Sequence, residues 1–353
     1  PSGHAQQTMT PEILWSLKRV SGPAVSPDGR SFVYGVREYD IRANAGSTDL
    51  YLMSTSGGEP TRITDMDGTE FNVLWRPDGE KIGFLSANSG SVQLWEMDPD
   101  GSNLRRISDI DGGIDNFSYS PAGTHVAFTR DVKIDRTANE IYPDLPEANA
   151  RIIDELNYRH WDTWHDHTFR HLHVATYDGQ SIGQPTDIMP GERFDTPLKP
   201  FGGGEQIAWS PDGSAIAYSC KKKSGTEYAV STNADIYLYD LSSGQTTNLT
   251  DGMMGYDLEP AFSPDGQHMA WLSMERDGYE ADRNRMFVID LETRRSRELS
   301  TGFDQDAAGA TWAPDGRVIY FTSDIKGTIQ IYEMDVNSAA ARQITEGLSL
   351  IHI

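Results

Sequence analysis

The chain has 353 residues, 37% of them hydrophobic, with 53 acidic against 30 basic side chains and a formal charge of −23. So acidic a surface repels phosphate backbones, which excludes nucleic acid as a partner. No apolar run nears the roughly 20 residues of a membrane helix, so no membrane partner is expected, and Cys220 as the only cysteine precludes an intrachain disulfide.

The chain opens "PSGHAQQTMT", without an initiator methionine, and Gly3-His4-Ala5 fits the small-x-small pattern that precedes a signal-peptidase cut. Residues 1–5 are expected to be the remnant of an export signal, which implies a periplasmic or secreted protein. Residues 6–20 form a lead-in. Within it "TPEILWSLKRV" starts with Thr-Pro and carries apolar Ile13, Leu14, Leu17 and Val20, which predicts a short helix.

From there one pattern recurs. A short apolar segment runs into Ser/Arg/Ala-Pro-Asp-Gly or its variant Ser-Pro-Ala-Gly and continues as an alternating strand, with the prolines at 27, 77, 121, 211, 264 and 314. Proline fixes φ at the first corner of a turn and glycine accepts a positive φ later, so each copy predicts a hairpin of strands a and b. A third strand follows ("DLYLMS", "VQLWEMD", "HLHVATYD", "DIYLYD", "RMFVID", "IQIYEMD"), then a short fourth ("TRITD", "RRISD", "TDIMP", "TNLTD", "RELST", "RQITE"). Four antiparallel strands per repeat specify an all-β fold, a β-propeller with six readable blades at 21–65, 69–109, 112–190, 202–251, 253–301 and 305–347. The third blade carries a long insertion at about 131–170, and the closing "LSLIHI" (348–353) has the pattern of a further blade cut off at its start.

Extra residues at 37–48, 131–170, 221–234 and 274–284 all separate strand b from strand c, so they share the end of the sheets opposite the Pro-Asp-Gly turns. Loops on a rigid scaffold are where binding residues concentrate. Acidic and basic side chains at this end include Glu38, Glu70, Glu227, Glu259, Glu275 and Arg276. A carboxylate here can pair with an ammonium group, and an arginine can fork onto a carbonyl or carboxylate.

Three other motifs are weighed and set aside. "GQSIG" (179–183) matches a nucleophile elbow around Ser181, but it lies between strands c and d where a turn is expected, with no helix after it. His160, His165, His167, His171 and His173 could chelate a metal, yet the favoured reading is an exposed, aromatic-rich loop whose Trp161 and Trp164 pack on the blade or a neighbouring domain, and no metal or other cofactor is expected. "DMDG" (65–68) and "DIDG" (109–112) lack the ligands of a calcium loop.

The repeated "WSPDG" hairpins resemble the propellers of the prolyl oligopeptidase family and of TolB-type periplasmic proteins. "TPEILWSLKRVSGPAVSPDGRSFVY" (10–34) resembles the start of bacterial dipeptidyl and acylaminoacyl peptidases of the former family. "YPDLPEANARIIDELNYRHWDTW" (142–164) and "YDLEPAFSPDGQHMAWLSMERDGYEADRNRMFV" (256–288) look like its dipeptidyl peptidases of the fifth type. The resemblance implies a propeller of seven or eight blades that caps an α/β-hydrolase domain bearing the serine, aspartate and histidine. It also implies peptide substrates, with Glu38, Glu259, Glu275 and Arg276 as the candidates for holding the substrate's amino terminus. The chain itself shows no hydrolase pattern of alternating strands and helices, so no catalytic residue is assigned. The competing reading is a six-bladed TolB-like periplasmic scaffold for protein–protein interaction.

Overall fold

The computed structural model describes residues 8–347; the expected signal remnant at 1–5 and the strand start at 348–353 lie outside the described residues. After α1 (Pro11–Ser16), capped by the Thr10 hydroxyl on the Ile13 amide, the chain forms β1 (Arg19–Val25), β2 (Ser31–Asp40), β3 (Ala45–Ser54) and β4 (Thr61–Arg62). The second blade follows as β5 (Glu70–Trp75), β6 (Ile82–Ser86), β7 (Gln93–Met97) and β8 (Arg105–Arg106). The third begins with β9 (Asp115–Tyr119) and β10 (His125–Lys133), is interrupted by α2 (Ala138–Ile141), β11 (Arg159–His160) and β12 (Thr163–Trp164), and resumes with β13 (Thr168–Thr176) and β14 (Thr186–Asp187). The fourth comprises β15 (Ile207–Trp209), β16 (Ala215–Cys220), α3 (Gly225–Val230), β17 (Asp235–Asp240) and β18 (Thr246–Asn248). Then come β19 (Asp257–Phe262), β20 (His268–Ser273), β21 (Arg285–Asp290) and β22 (Ser296–Glu298). The sixth is β23 (Ala308–Trp312), β24 (Val318–Ile325), β25 (Thr328–Asp335) and β26 (Ala341–Gln343).

These strands make six four-stranded antiparallel sheets, each in the simple order a-b-c-d, so the fold is the expected β-propeller. The chain divides into two compact units. One holds the residues up to Arg130 together with Ala175–Pro185; the other holds Asp131–Val174 together with the chain from Thr186 onward.

Three devices repeat along the sequence and explain why each segment folds alike. The first is the hairpin turn. Asp28 Oδ1 accepts from the Ser26 hydroxyl at 2.6 Å and the Arg30 amide at 3.0 Å, while Gly29 takes a φ of 69°. The aspartate thus ties down the polar groups that a tight turn strips from the sheet. Ser210 and Ser263 repeat the arrangement with Asp212 and Asp265. In the second blade Arg76 replaces the serine and forks onto Asp78.

The second device is a hydroxyl that substitutes for a ladder bond where strand d is too short to supply one. Thr64, Ser108, Thr250, Ser300 and Thr345 accept the amides of Leu50, Leu94, Ile236, Met286 and Ile331, always 14 residues earlier and at 2.8–3.0 Å. Without the hydroxyl a buried amide would go unpaired.

The third is a bulge in strand a, five residues before the turn proline. Gly22, Asn72, Asn116, Glu259 and Gly309 hold it with φ of 57°, 50°, 28°, 53° and 66°, and each interrupts the register of its a–b pair. Glycine and asparagine tolerate the left-handed region; glutamate does not belong to that set.

Neighbouring sheets pack through apolar rows. In the first unit Val33, Leu50 and Ile63 of the first blade meet Val73, Ile82, Phe84 and Met97 of the second. In the other unit Ala270, Met286 and Leu299 of the fifth meet Ile319, Phe321 and Met334 of the sixth. Strands b of the second and fourth blades, β6 and β16, are buried on both faces.

Two expectations change. Residues 37–48 are not a loop: the alternation of "VREYD" continues β2 to Asp40, which pairs with Ala45, leaving a four-residue turn at 41–44. Glu70 is not at a loop end either. It is fully buried at the start of β5, accepts from Thr64 Oγ1 at 2.8 Å, and burial pushes its carboxyl up to about 7.

Candidate substrate-recognition site

In the second unit the b–c connections of the fourth and fifth blades are tied to each other. Asp277 Oδ1 accepts from Ser231 Oγ at 2.6 Å, the Thr232 amide at 2.8 Å and the Asn233 amide at 3.1 Å. Asn233 Nδ2 in turn donates to the carbonyls of Met253 and Gly255. Gly255 lies so close to Met274 that a Cβ would meet its carbonyl oxygen at 1.9 Å, so only glycine lets the segment leading to Tyr256 lie against the start of the 274–284 connection. These bonds fix the approach to β19 and its bulge residue, Glu259.

Glu259 is half-buried. Its Oε2 accepts from the amide of Gly309, the bulge residue of the next blade, at 2.9 Å. Oε1 has no hydrogen bond among the described residues. Burial raises the carboxyl above its usual range, the Gly309 amide opposes that, and the nearby Glu205 carboxylate adds to it. Glu205, which accepts from the Gly203 amide at 2.7 Å, and Glu280 also help burial to raise the phenol of Tyr256. Glu205 thus bears on both Glu259 and Tyr256, and no cation is among the groups that shift either of them. Lys221, which Glu280 also influences, lies 4.2 Å above the ring of Tyr228; burial lowers its proton affinity, opposed by Glu280 and Asp277.

The other candidates are placed differently. Glu275 is exposed at the start of the fifth blade's connection. Arg276 beside it is occupied: its guanidinium forks onto Asp282 and lies 4.2 Å from the ring of Tyr279. Glu38, in the first unit, pairs with Lys18 at 2.5 Å on β2. Glu227, on α3, pairs with Lys223 at 2.9 Å. Thus Glu275 and Arg276 share one loop, and Glu259 has Glu205 as its charged neighbour instead. Sequence reasoning passed over Glu205 and Tyr256, whose only signals were the glycine run before one and the bulge spacing after the other.

The histidines do not converge. His171 is fully buried on β13, with Nδ1 2.8 Å from Asp187 and Nε2 2.9 Å from the Glu192 carbonyl. Burial works against its charge, but the Asp187 partner prevails and holds its pKa above the usual value. His165 stacks on Tyr228 and faces the buried Asp195 at 3.6 Å, where a cavity of about 380 Å³ also meets Trp164, Arg170 and Lys199. Burial opposes ionisation of Asp195, yet His165, Lys199 and the Arg170 amide hold its carboxyl below the ordinary value. Trp161 meets Phe201 edge-on and Trp164 lies over Tyr158, while Trp161 and Phe201 stay 71% and 73% exposed, so the loop's aromatics touch one another at the surface. In the first unit Ser181 is a turn residue: Asp178 Oδ1 accepts its amide at 2.7 Å and that of Gln180 at 2.8 Å. Asp65 and Asp109, of the two aspartate-glycine loops, pair with Arg62 and Arg106.

The family model PD40, the TolB beta propeller domain, matches residues 10–182 and 207–349. The chain belongs to that family. This TolB-type propeller is 44% identical over 339 residues, 96% of its length, to dipeptidyl-peptidase 5 of Porphyromonas gingivalis. It is 24% identical over 94% of its length to dipeptidyl-peptidase 5 of Aspergillus fumigatus. Both matches cover 49% of the relative, so the chain spans about half the length of the curated relatives it matches. Among solved structures, the acylaminoacyl peptidase of Pyrococcus horikoshii superposes with a TM-score of 0.68 at 14% identity, over 95% of this propeller and 47% of that chain. The β-propeller domain of the trilobed protease of Pyrococcus furiosus gives a TM-score of 0.60 at 13% identity, over 94% and 86%. At such identities the likeness is one of fold.

Proposed function

We propose that this propeller is the non-catalytic part of a serine peptidase of the prolyl oligopeptidase type that releases dipeptides from peptide N-termini. In that reading a separate hydrolase domain does the chemistry, and the b–c end of the propeller restricts access and receives the substrate's free amino group at Glu259, with Glu205 beside it. The observation that carries the reading is Glu259 itself. At a left-handed position filled elsewhere by glycine or asparagine, a strained glutamate is kept half-buried with one oxygen unused. Strain retained at a site where a simpler residue would fit is the mark of a selected role.

The chemistry agrees with a free amine. A peptide α-amino group has a pKa near 7.7–8.0 and is largely charged at neutral pH. Its ammonium would relieve the crowding of Glu259 and Glu205 and fill the empty lone pairs on Oε1. A charge-assisted bond of this kind contributes roughly 1.5–3 kcal/mol. An acylated N-terminus has no such charge, so release of acylated amino acids fits the site less well. The 44% identity to a dipeptidyl peptidase supports the same reading.

The family description favours a second reading, a TolB-like scaffold that docks other proteins. One assay separates the two. The natural gene product should release dipeptides from peptides with a free N-terminus and leave their N-acetylated counterparts largely intact. Equal processing of both would remove the amino-group role, and no dipeptide release at all would favour the scaffold.

A further inference from the structure

The cavity at His165 lies wholly within the second unit and includes neither Glu259, Glu205 nor Tyr256. Its volume, about 380 Å³, falls in the range of small-molecule sites. The carboxylates of its lining are paired off. Asp195, 4% exposed, takes Lys199 Nζ at 2.9 Å and the Arg170 amide at 2.7 Å on Oδ1. Arg170 Nε reaches Asp131 at 3.4 Å, and Arg151 forks onto both oxygens of Asp166. His165 Nε2 is not matched. It is buried with no hydrogen-bond partner among the described residues, because Asp195 Oδ2, the group it faces, stands 3.6 Å away, too far for a direct bond. A buried nitrogen is seldom left so unless something else meets it.

The rim is aromatic and strained. β11 and β12 pair His160 with Thr163, both of which line the cavity, across the two-residue turn Trp161-Asp162. Trp161 takes a φ of 53° at the first corner of that turn, where glycine is the usual residue. Its ring meets Phe201 edge-on at 4.9 Å, next to Pro200 of the lining, and both rings are largely exposed. A bulky residue held in the left-handed region, with its ring out in solvent beside a second exposed ring, adds little to the fold. What it does provide is an apolar platform at the mouth of a polar cavity.

We infer that this cavity binds a neutral sugar, one ring of which lies on Trp161 and Phe201 while its hydroxyls enter the lining. The paired charges select against ions. A carboxylate or phosphate that approaches Lys199 also meets Asp195 and Asp131, and an ammonium group that approaches these aspartates also meets Lys199 and Arg170. A hydroxyl suits both signs, since it donates to a carboxylate and accepts from an ammonium through the same oxygen, and it can join His165 Nε2 to Asp195 Oδ2. A sugar carries several hydroxyls on its edge and C–H groups on its face, and the latter gain dispersion contact from an exposed ring. A neutral peptide donates and accepts at separate atoms, so it matches the paired lining less closely. The inference depends neither on peptidase activity of the parent protein nor on Glu259.

Fluorine NMR of the natural gene product labelled with 5-fluorotryptophan tests it, the Trp161 signal being the one lost in Trp161→Gly. Glycine is the residue that this turn favours, and Phe201 is 73% exposed, so Trp161→Gly and Phe201→Ala should both fold. The probes are cellobiose, maltose and diacetylchitobiose, with N-acetylphenylalaninamide as the neutral peptide, glycylphenylalanine as the zwitterion and inorganic phosphate as the anion. At least one sugar should shift the Trp161 signal saturably below about 20 mM, with an affinity that stays within about twofold as sodium chloride rises from about 0.05 to 0.5 M. Phe201→Ala should weaken that binding about tenfold, and Glu259→Gln should leave it unchanged. No saturable shift with any of the three sugars would overturn the inference, as would binding untouched by Phe201→Ala. Tighter binding of the peptide, the zwitterion or phosphate at the same signal would assign the cavity to another class of ligand. Loss of sugar binding in Glu259→Gln would move the sugar to the other site.

Discussion

Replacing Glu259 with asparagine should make the propeller more stable. The residue sits at φ 53°, where an L-side chain other than asparagine, aspartate or glycine is held at a cost of roughly 1–2 kcal/mol. Asparagine occupies the equivalent bulge in the second and third blades, at Asn72 and Asn116. The change gives up the bond from the Gly309 amide, but that group lies at an exposed site where water replaces the carboxylate, so the loss is about 0.5 kcal/mol or less. It also removes a carboxylate that burial and Glu205 already disfavour. The net expectation is a gain of about 1 kcal/mol. Glu259→Gln is the control, since it keeps the strained backbone and the acceptor while losing the charge, and its stability should stay within about 0.5 kcal/mol of the parent. Urea unfolding at pH 7 with unchanged slope measures both. An asparagine variant no more stable than the glutamine variant would refute the strain argument, and with it the claim that Glu259 is kept for something other than the fold.

Other consequences follow from buried groups. Glu70 has a carboxyl raised from 4.5 to about 7, so the folded state holds a proton that the unfolded chain releases, and stability falls as pH rises between those values. Glu70→Gln should therefore match the parent near pH 4.5 and exceed it at pH 8, by at most about 3 kcal/mol; a constant difference across that range would contradict the raised value. Ser300→Ala leaves the buried Met286 amide without its acceptor and should cost about 1–3 kcal/mol in urea unfolding, whereas Ser338→Ala, at an exposed turn, should change stability by less than about 0.5. Arg276→Ala breaks a pair whose arginine is exposed but whose Asp282 side chain is only 8% exposed, and should cost about 1 kcal/mol; a loss well above that would show that the 274–284 connection depends on it.

Much of the scaffold was legible because its rules are local. Ser-Pro-Asp-Gly fixes a turn within six residues, and alternating apolar side chains fix strands b and c on either side of it. The hydroxyl spacing and the bulge position were also present in the sequence, since Gly22, Asn72, Asn116, Glu259 and Gly309 all stand five residues before a turn proline. Only the backbone angle shows why a glutamate in that series is out of place. Positions set by long-range packing were not legible. Glu70 looked like a loop-end carboxylate because nothing local says that the sheet closes over it, and residues 37–48 looked like an insertion because two long strands and a long loop have the same length. Arg276 seemed available until Asp282, six residues on, was found on its guanidinium. Glu205 approaches Glu259 only because the fourth and fifth blades are adjacent, which no spacing within either blade reveals.

In the proposed function Glu259 receives a peptide amino group. In the natural gene product, Glu259→Gln should lower kcat/KM for a free-amine dipeptidyl reporter by about ten- to a hundredfold, the equivalent of losing one charge-assisted bond. For the N-acetylated reporter, whatever slow turnover it shows should stay within about twofold. A variant that discriminates between the two reporters as well as the parent does would contradict the assignment.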